Sequence, residues 1–215
     1  MKPALKKTRT LAKQRRVTSE TSDKSETASA NDVVLTIGHS NHPLDEFLEL
    51  LDAHGVECVV DVRTIPRSRH NPQFNSDAIE DSLRKAGIGY VHRKQLGGLR
   101  HAAKDSINMG WRNASFRGFA DYMQTPEFAA AVTELIEFTR TKRCAIMCAE
   151  AVPWRCHRSL ISDALAVREI AVEHIMSRTK RDAHKLTPFA HVRGLRITYP
   201  SSSDLELPFP NQSGD

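Results

Sequence analysis

From residue 33 onward, short apolar runs alternate with amphipathic ones. VVLTIG (33–38) is β-branched and ends in glycine, the pattern of a buried strand. Leu44, Phe47, Leu48 and Leu51 then recur at helical spacing between Pro43 and Gly55, which predicts a helix. ECVVDVR (57–63) predicts a second buried strand. Asn75 or Ser76 can cap a helix that runs to Lys85 and stops at Gly87. IGYVHR (88–93) reads as a third strand, and 94–115, with Gly97-Gly98, reads as irregular. Helices are predicted over 116–123 and 126–141, divided near Thr125-Pro126, where the proline suits a first helical turn. CAIMC (144–148) predicts a fourth strand, 156–169 a helix and AVEHIM (171–176) a fifth strand. LRITYP (195–200) reads as a sixth strand or a surface extension. Strands alternating with helices imply an α/β fold: a Rossmann-like, mostly parallel sheet with helices on both faces. At 215 residues the chain suits one such domain, expected over 32–200.

Charge divides the chain differently. The formal net charge is +5, yet residues 1–16 hold seven basic residues and no acid. The other 24 basic residues face 26 acidic ones over 17–215, a net −2. The basicity therefore belongs to a tail, and a nucleic-acid reading of the domain loses its electrostatic support. Residues 1–31 contain no aromatic residue and are rich in Lys, Arg, Ser and Thr, so a disordered tail is expected there. Residues 201–215 are expected to be a C-terminal extension. Four cysteines are too few for a disulfide framework at this length, so reduced thiols and a cytoplasmic setting are expected. No apolar run is long enough to span a membrane. The basic start lacks the apolar stretch of a secretory signal, and Glu20, Asp23 and Glu26 count against a transit peptide.

Ligands of open α/β sheets bind beyond the carboxyl ends of the strands. The first predicted strand ends in Gly38-His39-Ser40. The second ends in Asp61-Val62-Arg63 and leads to Ser68 and Arg69. The third runs into His92-Arg93, and the fourth ends in Cys148-Ala149-Glu150. Polar groups from all four are therefore expected at one sheet edge. Each also has a structural reading. His39 could cap the following helix, and Asp61 and Arg63, two apart on a strand, could form a structural ion pair. Cys58 and Cys144 read as small core residues.

The densest chemistry is CAEAVPWRCHR (148–158). Cys148 ends a predicted strand, while Cys156 and His157 open the next predicted helix, whose N-terminus favours anions and thiolates. Glu150 and His157 are candidate general acids or bases. Three readings compete: an anion-binding or catalytic pocket with a reactive thiol, a metal site at Cys148, Cys156 and His157 with His39 as a further candidate ligand, and a packing role. The C-x₇-C spacing is not that of common zinc sites, so no metal or cofactor is expected. A phosphatase loop fails on its cysteine-to-arginine spacing, and no P-loop occurs.

TIGHS (36–40), DVRTIPRSR (61–69), CAEAVPWRCHR (148–158) and VEHIM (172–176) together resemble the domain of unknown function 488 (DUF488) family, over about residues 33–190. The resemblance implies an α/β domain and no established activity. His39, Ser40, Asp61, Arg63, Pro66, Ser68, Arg69, Cys148, Glu150, Pro153, Cys156, His157 and Arg158 match its shared motif positions. HKLTPFA (184–190) looks like its closing segment. The function expected is an enzyme acting on a phosphate-bearing ligand, a nucleotide or nucleic-acid end. Arg63, Arg69 and Arg158 would bind phosphate, with His39, Ser40, Asp61 and Ser68 alongside. Cys148, Glu150, Cys156 and His157 would do the chemistry. The alternative is a non-catalytic module that binds such a ligand in the same pocket.

Overall fold

The computed structural model describes residues 33–201. The expected tail over 1–31 and nearly all of the expected extension over 201–215 lie outside the described residues. The first predicted strand is β1 (Val33–Gly38), buried along nearly its whole length, as a β-branched run between two helical layers should be. It leads into α1 (Leu44–Ala53), β2 (Cys58–Asp61), α2 (Ser76–Lys85) and β3 (Gly89–His92). Then come α3 (Ala114–Tyr122), α4 (Pro126–Thr139), β4 (Cys144–Cys148), α5 (Arg158–Ala166) and β5 (Ala171–Ser177). Pro126 occupies the first turn of α4, and the Thr125 hydroxyl accepts from Phe128 N. Asn75 stands at the N-cap of α2, but its side chain accepts from Ser68 N and so braces the preceding loop.

The main sheet has the order β3-β2-β4-β1-β5-β6, with the first five strands parallel. Its sixth strand is not LRITYP. β6 (Lys180–Ala183) pairs antiparallel with β5. Its sequence, KRDA, shows no apolar alternation because it is a mostly exposed edge strand, where charge discourages pairing with other chains. LRITYP instead supplies β8 (Arg196–Thr198), which forms a separate two-stranded ribbon with β7 (His191–Arg193).

Alternate strand residues feed two cores. Leu35, Ile37, Val59, Ala145 and Met147 pack with Phe47, Leu51, Ile79 and Leu83 of α1 and α2. Val34, Val60, Ile146 and Cys148 pack with Phe119, Leu135, Leu160 and Leu165 of α3, α4 and α5. The chain thus leaves adjacent β2 and β4 toward opposite faces. Such a reversal opens a crevice at the carboxyl ends of the strands, where open α/β sheets bind ligands.

Candidate functional site

A cavity of about 700 Å³ lies at that crevice. Three strand ends meet there. Gly38 of β1 pairs with Cys148 of β4, His39 N donates to Cys148 O, and Val62 N donates to Met147 O. The loop after β4 crosses directly over β1. A Cβ on Gly38 would lie 1.9 Å from Glu150 O, so only glycine lets the strand pass beneath it. The next residue but one, Ser40, holds a left-handed φ of 47°, which is uncommon for a non-glycine residue.

Behind one wall runs a buried polar chain. Tyr90 of β3 donates its hydroxyl to Asp61, which is fully buried. Arg63 Nε and Nη2 donate to the same carboxylate at 2.9 and 2.5 Å. Arg63 Nη1 donates to His39 Nε2 at 3.2 Å, and His39 Nδ1 donates to Ser40 O. This arrangement needs a neutral imidazole. Burial, with the Arg63 charge adding to it, lowers the His39 pKa to about 4. Burial alone would lower the Arg63 pKa, but its hydrogen bonds and ion pair with Asp61 outweigh that and raise it. His39 also stacks on Phe74, with ring centroids 4.2 Å apart. It is not the cap of α1, whose N-cap is Pro43.

The floor holds Cys148, Cys156 and His157. Pro153–Arg155 form one 3₁₀ turn after β4, and Cys156 follows in extended conformation. The expected helix at 156 therefore begins only at Arg158. Cys156 N is also taken up by Pro153 O, so the expected helix-end donor at Cys156 is absent. The turn instead brings Cys156 back beside Cys148. His157 Nδ1 lies 3.8 Å from each sulfur, while His157 Nε2 donates to Val62 O at 3.1 Å. The Val62 carbonyl fixes the tautomer, so the Nδ1 lone pair faces the sulfurs. The Cys148 S–H, with the Arg158 charge adding to it, holds the Cys156 thiol below its ordinary range against the effect of burial. Cys148, bonded to that partner and buried, is pushed well above its own.

Of the expected site residues, His39, Ser40, Arg63, Ser68, Cys148, Glu150, Cys156 and His157 line the cavity. Asp61 stands behind Arg63. Arg158 is buried and donates from Nη2 to Glu150 O and Ala151 O, so it braces the loop rather than the cavity. Arg69 is exposed and outside the lining. Other lining residues went unassigned in the sequence: Arg67, Arg155, Asn41, Asn71 and Asn113, and Gly98. Arg67 and Arg155 stood inside the DVRTIPRSR and CAEAVPWRCHR segments, and the Gly97-Gly98 pair marked its own stretch, so these three places carried a signal. A Cβ on Gly98 would lie 2.5 Å from His157 Nδ1, so backbone closely approaches the imidazole here.

The fold and cavity define an α/β protein with a ligand-sized crevice beyond a parallel sheet. The chain belongs to the family described as "Domain of unknown function DUF488", whose model matches residues 43–165. That span contains the DVRTIPRSR and CAEAVPWRCHR segments. Gly38-His39-Ser40 and everything after residue 165 lie outside it. No curated protein and no solved structure matches the chain. Among the described residues, no helix is long and apolar enough to cross a membrane.

Proposed function

We propose that the protein is an enzyme acting on a phosphate-bearing ligand, a nucleotide or nucleic-acid end, bound in this cavity. The observation that carries the reading is the Cys148–Cys156–His157 group on the cavity floor, with an imidazole lone pair aimed at two sulfurs. A packing role for the sulfurs would not require that imidazole or the cavity. The cavity's size is typical of small-molecule sites, which span about 300–1,000 Å³. Arg63 is already paired with Asp61, so the cations left to a ligand are Arg67 and Arg155, with Glu150 as the lining carboxylate. Arg67 and Arg155 are exposed, so their guanidinium groups are available for the two-pronged contacts that suit phosphate. Asn41, Asn71, Asn113, Ser40 and Ser68 add neutral donors.

In this reading Arg67 and Arg155 hold the phosphate, with Ser40 and Ser68 beside it. Asp61, Arg63 and His39 keep the wall rigid, and Arg158 fixes the loop that carries Glu150. Cys148, Cys156 and His157 form the reaction centre, and Glu150 moves a proton at the mouth. Reduced sulfurs suit a cytoplasmic setting, and all four cysteines are free thiols. Turnover in a screen of phosphate esters, nucleotides and short oligonucleotides tests the proposal. The expected result is a saturable rate that Glu150→Gln lowers by about 10²–10⁴-fold, the range of proton-transfer catalysis. Saturable binding without turnover of any compound would make the protein a binding module instead.

A further inference from the structure

Resting on that reading of the cavity, we propose that Cys148 Sγ, Cys156 Sγ and His157 Nδ1 bind a zinc ion whose fourth position is left to water or the bound ligand. The donor atoms are already arranged for it. Nδ1 lies 3.8 Å from each sulfur, and all three atoms lie within 4.8 Å of one another. Zinc bonds of about 2.3 Å to sulfur and about 2.0–2.1 Å to nitrogen place tetrahedral ligand atoms roughly 3.5–3.8 Å apart. Closing the group around an ion needs shifts of an ångström or less.

The surroundings favour a metal over a lone nucleophile. Zinc-binding histidines commonly donate their second ring nitrogen to a carbonyl or carboxylate, which fixes the metal-facing lone pair. Val62 O does this for His157. A nucleophile needs one sulfur, whereas here two converge on the same imidazole. Two thiolates and one imidazole with an open fourth position is a ligand set found in catalytic zinc sites. Among the described residues, this is the one group of histidine, cysteine and carboxylate side chains with such spacing. The other cysteine pair supplies the contrast. Cys58 and Cys144 face each other across β2 and β4, but they are buried in the core and line none of the cavities described. The C-x₇-C spacing is unusual because the second cysteine returns by way of the 3₁₀ turn at Pro153–Arg155, not by a tight knuckle.

The test uses the full chain, reduced, stripped with chelator and titrated with cobalt(II). The expected result is one tetrahedral cobalt per chain, seen as a thiolate-to-cobalt charge-transfer band with visible d–d bands, both abolished by zinc. Cys148→Ser and Cys156→Ser should each lose the spectrum, and Cys58→Ser should keep it. A second measurement needs no variant: zinc should protect Cys148 and Cys156 from iodoacetamide in the unmodified protein. Absence of the cobalt spectrum from the reduced protein would overturn the site, as would its survival in both serine variants. Parallel titration of the metal-free protein with adenosine monophosphate separates the two proposals. Stabilisation by the nucleotide without a cobalt spectrum would remove the metal and leave the cavity reading. A cobalt spectrum without a response to any phosphate compound would do the reverse.

Discussion

Asp61 has no contact with solvent, and its carboxylate accepts from Arg63 Nε and Nη2 and from the Tyr90 hydroxyl. Removing one member of such a pair leaves the other charge buried without compensation, a loss of about 3–5 kcal/mol. Asp61→Ala is therefore expected to lower the free energy of unfolding by that amount in urea titration. A loss below about 1 kcal/mol, the range of exposed pairs, would contradict the buried chain. Gly98 gives a second prediction. Gly98→Ala would place a methyl group against His157 Nδ1, so it should abolish chemistry at the floor while Cys58 and Cys144 stay unreactive to iodoacetamide. Unchanged activity would mean that the imidazole does not act there. At this scale the sequence placed His39, Arg63, Cys148 and His157 at one sheet edge, because strand ends are legible from apolar runs. It could not separate cavity-facing Arg67 from outlying Arg69, or show Arg158 turned to the Glu150 carbonyl. Those differences depend on partners from other parts of the chain.

Elements were legible where an apolar period marks them, and less so where polar bonding holds them. β1, β2, β4 and α4 follow from their runs. β6 and β7 do not, and LRITYP marked β8 without its partner, because exposed edge strands carry no apolar alternation and a buried carboxylate ties down much of the segment after β6. Asp163 of α5 accepts from His184 Nε2, Thr187 N, Thr187 Oγ1 and the Tyr199 hydroxyl. An aspartate inside an amphipathic helix reads as a surface residue until its partners are known. Asp163→Ala leaves four donors unmatched, at about 1–3 kcal/mol for each that stays buried. The expected outcome is a loss of several kcal/mol and faster amide hydrogen exchange over 184–199. Exchange unchanged there would mean that the clamp contributes nothing.

At the scale of the whole molecule, two buried histidines contribute a pH dependence to stability. His39 and His174 both fall to about 4, each chiefly through burial, against an ordinary value near 6.5. His174 accepts from the Thr36 hydroxyl at Nδ1 and donates from Nε2 to His184, which needs it neutral. Between pH 6.5 and 4 the unfolded chain binds these protons and the folded one does not. Stability is therefore full above about pH 6.5 and falls as pH drops toward 4, by on the order of 3 kcal/mol per histidine at most. His39→Phe should flatten that slope, and an equally steep one would assign it to other groups. The parallel sheet was legible at this scale because β–α alternation leaves few topologies. The strand order, with β4 between β1 and β2, emerges only from the pairing, and it is what opens the crevice between β2 and β4. The central claim is that this crevice holds a phosphate-bearing ligand. Its most direct test is calorimetric titration of adenosine monophosphate into the protein and into an Arg67→Ala, Arg155→Ala double variant. The account predicts saturable binding that the double variant weakens by about 10-fold or more, the equivalent of about 1.4 kcal/mol or above. Equal affinity in both proteins, or no binding to either, would contradict it.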